Sequence, residues 1–261
     1  VGDPIAGQSA PRPLKDALVG TWLGHPLHPA MVQLPLGFWT SSLALDVAGQ
    51  EQAADLTLAL GLASATGAAL TGVAQWQDAT NDEAPRRLGA LHASLNVVAT
   101  ALYGASLLQR RRGSRAAGVA LATAGFAVAN VSAWLGGDLA YDLGLGVDHT
   151  AFEQAPTDWV AVLDEASLQE GTPKRVRAKG YAVMLLKRGD DIEAVAATCP
   201  HLGGPLDKGE IEDDTVTCPW HGSVFCLNDG SLLHGPATAP VTAFEVKVEE
   251  GKIAVRARPV A

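Results

Sequence analysis

With 261 residues the chain is long enough for two domains, and its 19 Lys plus Arg against 28 Asp plus Glu give a net charge of -9 that excludes nucleic acid as the expected partner. Apolar residues reach 48%, charged residues only 18%, and the mean hydropathy of +0.13 fits either an Ala-rich soluble protein or a membrane segment joined to a polar domain. Composition along the chain favours the second. Residues 1–150 hold eleven acids, eight bases and four long stretches almost free of charge. Residues 157–261 hold sixteen acids and eleven bases, frequent Gly and Pro, and strand-like alternation such as Phe244-Glu245-Val246-Lys247-Val248.

Residues 1–29 read as a segment ahead of the first membrane helix. Positions 1–20 include Asp3, Asp16 and three prolines instead of a basic tip and an apolar run, so no cleavable signal peptide is expected. A crossing takes about twenty mostly apolar residues. Four stretches qualify within a domain spanning 30–149: 30–48, 56–77, 88–109 and 116–137. The first is interrupted by Gln33, Pro35 and Asp46, whereas the other three contain no Asp, Glu, Lys or Arg. A soluble helical bundle would show a charged stripe facing water, and none is present. Gly61, Gly67 and Gly72 should allow close helix approach, and Trp22, Trp39, Trp76 and Trp134 are expected near the membrane interfaces.

Four crossings place His25, His28, His92 and His149 toward one membrane face. Two of them could hold a haem b iron or another metal, since neutral imidazole is a good ligand between helices. The alternative makes His25 and His28 interfacial residues of a Pro-rich entry and His92 a helix–helix hydrogen-bonder. The run GHPLHPAMVQLPLGFW (24–39), with GGDLAYDLGLGVDH (136–149), resembles a family of uncharacterised bacterial four-helix membrane proteins whose first helix is introduced by a doubled His-Pro. That resemblance covers about residues 20–149 and implies architecture without a function.

Residues 150–156 read as a linker, and 157–261 as an all-β domain. The three cysteines, Cys199, Cys218 and Cys226, all lie there, too few for a disulfide framework, so metal or cluster ligation is expected. Cys199-Pro200-His201-Leu202-Gly203-Gly204 and Cys218-Pro219-Trp220-His221-Gly222 supply two thiols and two imidazoles in the order Cys, His, Cys, His. A structural zinc finger runs Cys, Cys, His, His. Cys226 is expected to be a small buried apolar residue and His234 a solvated loop histidine. No Ser-His-Asp order, paired carboxylates, GxGxxG, P-loop or facial-triad domain stands out, so no substrate-transforming site is expected.

Over about residues 157–258 this pattern resembles the Rieske [2Fe-2S] proteins, including Ser223-Val224-Phe225, the Asp229-Gly230 turn and Gly235-Pro236-Ala237. The resemblance implies one [2Fe-2S] cluster, with Cys199 and Cys218 on the inner iron and His201 and His221 on the outer. It also implies a hydrogen bond from Ser223 to a bridging sulfide and a cover loop containing Pro236. Imidazoles in place of thiolates raise the potential above that of an all-Cys cluster. Two departures from the quinol-oxidising branch stand out: Gly204 and Trp220 occupy the places of its disulfide cysteines, and Phe225 that of a hydrogen-bonding tyrosine. The expected potential therefore lies between the ferredoxin-like and quinol-oxidase-like classes, nearer the former.

The sequence thus describes a multidomain chain: an all-α four-helix transmembrane bundle followed by an all-β Rieske-type iron-sulfur domain. The leading functional expectation is a carrier in the bacterial inner membrane that relays single electrons between a membrane donor (quinol, b-type haem or reductase) and a redox partner protein or quinone. Alternatives are a ferredoxin component serving a membrane-associated oxygenase, and a redox or iron sensor. Arg110, Arg111, Arg112 and Arg115 face an equal count in Arg12, Lys15, Arg86 and Arg87, but their tight cluster favours a cytoplasmic loop and an extracytoplasmic β domain. Arg110–Arg112 also resembles a twin-arginine export element, whereas a cytoplasmic domain would need no export. The β domain's net charge of -5 suggests a basic docking surface on the partner. Oligomeric state is left open.

Overall fold

The computed structural model of the protein describes residues 12–79 and 82–259. The reading of residues 1–11 as part of a segment without a signal peptide lies outside the described residues. Among the described residues, five α-helices come first: α1 (Arg12–Val19), α2 (His28–Val47), α3 (Glu51–Trp76), α4 (Glu83–Arg111) and α5 (Arg115–Tyr141). Ten strands follow. The chain forms two compact units, 26–146 and a second made of 12–25 together with 147–259. Residues 12–25 are therefore no mere leader to the bundle, since α1 belongs with the strands, and so does His149.

In the helical unit, Pro29 occupies the first turn of α2, where its missing N–H costs no hydrogen bond. Gly49 and Gly113 adopt φ of 71° and 82° just past α2 and α4, and this left-handed conformation lets each chain turn straight back into the next helix. The results are two antiparallel hairpins, α2–α3 and α4–α5. Three helical stretches, Glu51–Ala79, Glu83–Arg111 and Arg115–Tyr141, are long and apolar enough to cross a membrane. The fourth expected span exists as the 20-residue α2 but falls short in apolarity, because Gln33, Pro35, Thr40, Ser41, Ser42 and Asp46 dilute it.

Large apolar side chains such as Leu56, Leu70, Val97, Val131 and Trp134 point outward, while Ala54, Gly61, Ala68, Ala99 and Ala122 pack inside. This is the distribution expected where the surrounding solvent is lipid. The three glycines serve close approach as expected: a Cβ would collide with Trp39 at Gly61, come within 2.7 Å of Met31 at Gly67 and within 2.8 Å of His28 at Gly72. Trp39 corrects the interfacial reading. It is 4% exposed and stacks on Tyr103 with ring centroids 4.0 Å apart, because the narrow Gly61 surface leaves a slot for an indole inside the bundle.

The two hairpins also repeat one another at an offset of 64 residues. His28 and His92, Ser42 and Ser106, Gly49 and Gly113, Gly61 and Gly125, and Gly72 and Gly136 are identical pairs. Equivalent contacts recur: Ser42 Oγ donates to the Ala54 carbonyl at 2.8 Å, and Ser106 Oγ to the Gly118 carbonyl at 2.6 Å. Equivalent residues also meet each other, as Trp39 does Tyr103 and Asp46 does Arg110. An approximate two-fold axis therefore relates the hairpins. Arg110, whose side chain is fully buried, bonds Asp46 at 2.5 Å and Asp55 at 2.9 Å, and Arg115 bonds the same two carboxylates. Buried charge is tolerated here because every member is paired.

In the other unit, β1 (Val160–Asp164) pairs with β10 (Lys252–Ala257), which pairs with β9 (Phe244–Glu249). A second antiparallel sheet contains β2 (Lys174–Ala178), β3 (Tyr181–Arg188) and β4 (Asp191–Ala196). Val183, Leu185, Leu186, Phe244, Ile253 and Val255 form their shared core. Between β4 and β9 the chain inserts a small sheet of β5 (Glu210–Glu212), β6 (Thr215–Thr217), β7 (Val224–Cys226) and β8 (Leu232–His234). Its short strands leave most of the insertion as loops, and the sequence-identified thiols and imidazoles sit on them.

Candidate metal centre

The β4–β5 and β6–β7 loops are built alike. In the first, the Cys199 N–H donates to the Gly204 carbonyl at 2.8 Å and the Gly203 N–H to the Cys199 carbonyl at 3.0 Å. In the second, the Cys218 N–H donates to Ser223 at 2.8 Å and the Gly222 N–H to Cys218 at 3.1 Å. Gly203 and Gly222 both adopt a φ of 78°, a conformation that costs a side-chain-bearing residue more. Arg175 braces the first loop by donating to the Ala197 carbonyl at 3.1 Å and pairing with buried Asp207 at 2.8 Å.

These turns bring the two thiols into hydrogen-bond contact in a buried space. The hydrogen bond from Cys199 draws the Cys218 pKa down to about 7, helped by the Trp220 and His221 N–H groups aimed at its sulfur. Cys199 moves far upward, because its proton is held against Cys218 and because it is buried; the His201 N–H and Ser223 hydroxyl oppose that shift. Anionic sulfur is thus provided with backbone donors.

His201 and His221 lie edge to face with ring centroids 5.0 Å apart. Burial, with His221, Lys15 and His149 nearby, pushes the His201 pKa down to about 3, which keeps it neutral and able to ligate at neutral pH. Its Nδ1 is buried without a hydrogen-bond partner, an arrangement proteins seldom leave unfilled. Among the described residues, no three His, Cys, Asp or Glu side chains converge on one ion. The four donors form a sulfur pair and a nitrogen pair, which fits two metal ions with different ligands better than one tetrahedral ion.

Residues 158–245 match the family of the Rieske [2Fe-2S] domain, and 24–149 match the family described as Predicted membrane protein (DUF2231). Ferredoxin CarAc of Metapseudomonas resinovorans is 36% identical over 98 residues, covering 37% of this chain and 92% of that protein. The chain belongs to the Rieske [2Fe-2S] family. Its Rieske domain is also similar to human Apoptosis-inducing factor 3, 36% identical over 105 residues that make up 40% of this chain but only 17% of that protein. The Cytochrome b6-f complex iron-sulfur subunit of Chlorobaculum tepidum is 33% identical over 96 residues, 37% of this chain and 52% of that protein.

The third loop of the Rieske domain closes over the donors through Ser223. That fully buried hydroxyl accepts the Ala237 N–H at 2.9 Å and donates to the Cys199 sulfur. Pro236, also buried, precedes Ala237 in the same loop. Gly204 and Trp220 do face each other: a Cβ at Gly204 would lie 3.4 Å from the Trp220 ring and 2.7 Å from the Cys218 sulfur. The Trp220 indole, half exposed, thus packs against the backbone of Gly204.

Two sequence expectations change. His234 ends β8 and, though its side chain stays partly solvent-exposed, has a partner: its Nδ1 lies 2.9 Å from Asp16 Oδ2, while Asp16 Oδ1 accepts the Gly235 N–H at 2.9 Å. No local signal marks this contact, because Asp16 precedes the whole helical unit in sequence. Cys226 is half-buried on β7, apart from the donor set. His25 is exposed and His149 donates its N–H to the Pro200 carbonyl at 2.9 Å, both within the Rieske unit, whereas His28 and His92 belong to the bundle.

Proposed function

We propose that this chain is a membrane-anchored electron carrier of the bacterial inner membrane, relaying single electrons between a membrane donor (quinol, b-type haem or reductase) and a redox partner protein or quinone. The observation that carries this reading is the two-and-two donor set on matching loops. Cys199 and Cys218 would hold the inner iron, and His201 and His221 the outer. A bound [2Fe-2S] cluster supplies one-electron oxidation and reduction. The surrounding residues hold its ligands: backbone N–H groups stabilise sulfur charge, Ser223 ties Cys199 to the cover loop, and Pro236 helps exclude water.

Gly204, Trp220 and Phe225, together with the similarity to Ferredoxin CarAc along most of its length, support a second reading: a ferredoxin component delivering electrons to a membrane-associated oxygenase. We place the Rieske domain on the extracytoplasmic face. That placement rests on Arg111 and Arg112, because Arg110 and Arg115 are occupied by Asp46 and Asp55. Protease protection of the domain in right-side-out vesicles would contradict it.

Low-temperature EPR of the full-length, detergent-purified protein tests the main reading. A rhombic signal with average g below the free-electron value, appearing only after dithionite reduction, is expected. An EPR-silent protein containing zinc would overturn it. Reduction by a quinol would then favour the respiratory reading over the oxygenase reading.

A further inference from the structure

The duplication of the hairpins preserves more than a fold. In the first, the His28 ring rests over Gly72, where a Cβ would lie 2.8 Å from its Cε1, and Nδ1 lies 3.0 Å from the Ala68 carbonyl. In the second, the His92 ring rests over Gly136, where a Cβ would lie 3.1 Å from its Cε1, and Nδ1 lies 2.8 Å from the Ser132 carbonyl. The two settings correspond position by position at the 64-residue offset, although the intervening sequence has largely diverged. Histidine, the facing glycine and the carbonyl one turn before that glycine occur in both.

The chemistry of that setting is specific. Each Nδ1 also faces a hydroxyl, Thr71 at 3.2 Å in the first ring and Ser132 at 3.1 Å in the second, and because a carbonyl oxygen only accepts, these settings favour the tautomer with the proton on Nδ1 and the lone pair on Nε2. In His92 this Nε2 lies 3.1 Å from the Asn96 amide nitrogen, which can only donate to it. The rings are thus biased toward the tautomer of a metal-ligating imidazole with a second-sphere carbonyl behind it. Helices α2 and α4 are the first helices of the two related hairpins. They run in the same direction, so their histidines occur at equivalent depth and within electrostatic reach of each other.

Among the described residues, no third His, Cys, Asp or Glu joins this pair around an ion. A bare ion would find only two protein ligands, whereas a tetrapyrrole brings four nitrogens of its own and leaves two axial positions. We infer that His28 and His92 form a bis-imidazole site for haem b at the two-fold axis of the bundle, and that His25 and His149 take no part. Binding would exchange the Asn96 hydrogen bond for a metal bond. This goes beyond the electron-carrier reading and stands without it, because the bundle can hold haem whatever the Rieske domain carries.

The test uses the full-length protein in detergent, made in haem-supplied cells and, separately, titrated with hemin. The wild type is expected to take up about one haem per chain and show a six-coordinate low-spin spectrum. His28→Ala and His92→Ala should each weaken hemin binding about tenfold or more, or yield a five-coordinate spectrum, while His25→Ala and His149→Ala change neither. His28→Met and His92→Met guard against simple misfolding: each should retain haem with an altered spectrum. No uptake by the wild type, or uptake with unchanged affinity and spectrum in both alanine variants, overturns the site. The Rieske EPR signal of the same samples separates the two readings: signal without haem refutes the haem site alone, and haem without signal refutes the carrier alone.

Discussion

The two units prepare their histidines at opposite ring nitrogens. In the bundle, His28 and His92 have Nδ1 engaged by a carbonyl of the neighbouring helix, which leaves Nε2 as the basic atom. In the Rieske unit, His201 has Nδ1 buried and unpartnered, and its position comes from a tight loop instead of a bond to the ring. Helices offer a rigid frame in which side chains can reach neighbouring carbonyls, whereas the loops bend backbone N–H groups inward toward sulfur. The second partner of an imidazole, more than the imidazole itself, decides which chemistry each site can perform.

Removing a sulfur should break the comparison most completely. Cys199→Ser is expected to abolish the reduced-state EPR signal while leaving the bundle's helical circular dichroism in place. Arg110→Met tests the converse. It removes one of the two guanidinium partners of Asp46, leaving Arg115, and should cost the bundle about 1.5–3 kcal/mol, read as earlier thermal unfolding in detergent, with the Rieske signal retained. Ser223→Ala should keep the signal and lower the midpoint potential by tens of millivolts, because a donor to Cys199 is lost. Titration of the wild type should fall in the lower part of the roughly -150 to +300 mV Rieske range. The smallest effect concerns Glu193, whose carboxyl is held above the usual range by burial, against the pull of Arg188. Its folded state binds the proton more tightly than the unfolded state, so its contribution to stability improves as pH falls through that raised pKa. Glu193→Gln should gain at most about 1 kcal/mol at neutral pH and lose that advantage in acid, measured by pH-dependent melting.

The cluster loops were legible in the sequence because their donors sit within a few residues of each other between Gly and Pro. The long helices were legible because hydrocarbon demands uninterrupted apolar length. Other features were hidden for physical reasons. The bond between Asp16 and His234 joins residues 218 positions apart, and neither has a local pattern that announces it. The hairpin repeat was obscured because helix interiors in lipid accept many exchanges among Ala, Gly, Leu and Val, so few positions, Gly61 and Gly125 among them, stay identical. Trp39 was misplaced because an aromatic in an apolar helix reads the same from sequence whether it lies at an interface or against Tyr103.

Asp16 and His234 stand on either side of the bundle in the chain, yet they share one folded unit. Two segments that fold together must occupy the same compartment, and a chain returns to its starting compartment only after an even number of crossings. Three spans would strand α1 from its sheet. With α3, α4 and α5 as crossings, parity predicts α2, with its prolines and Asp46, as the fourth despite its modest apolarity, and the Asp46–Arg110 pair would make its carboxylate tolerable there.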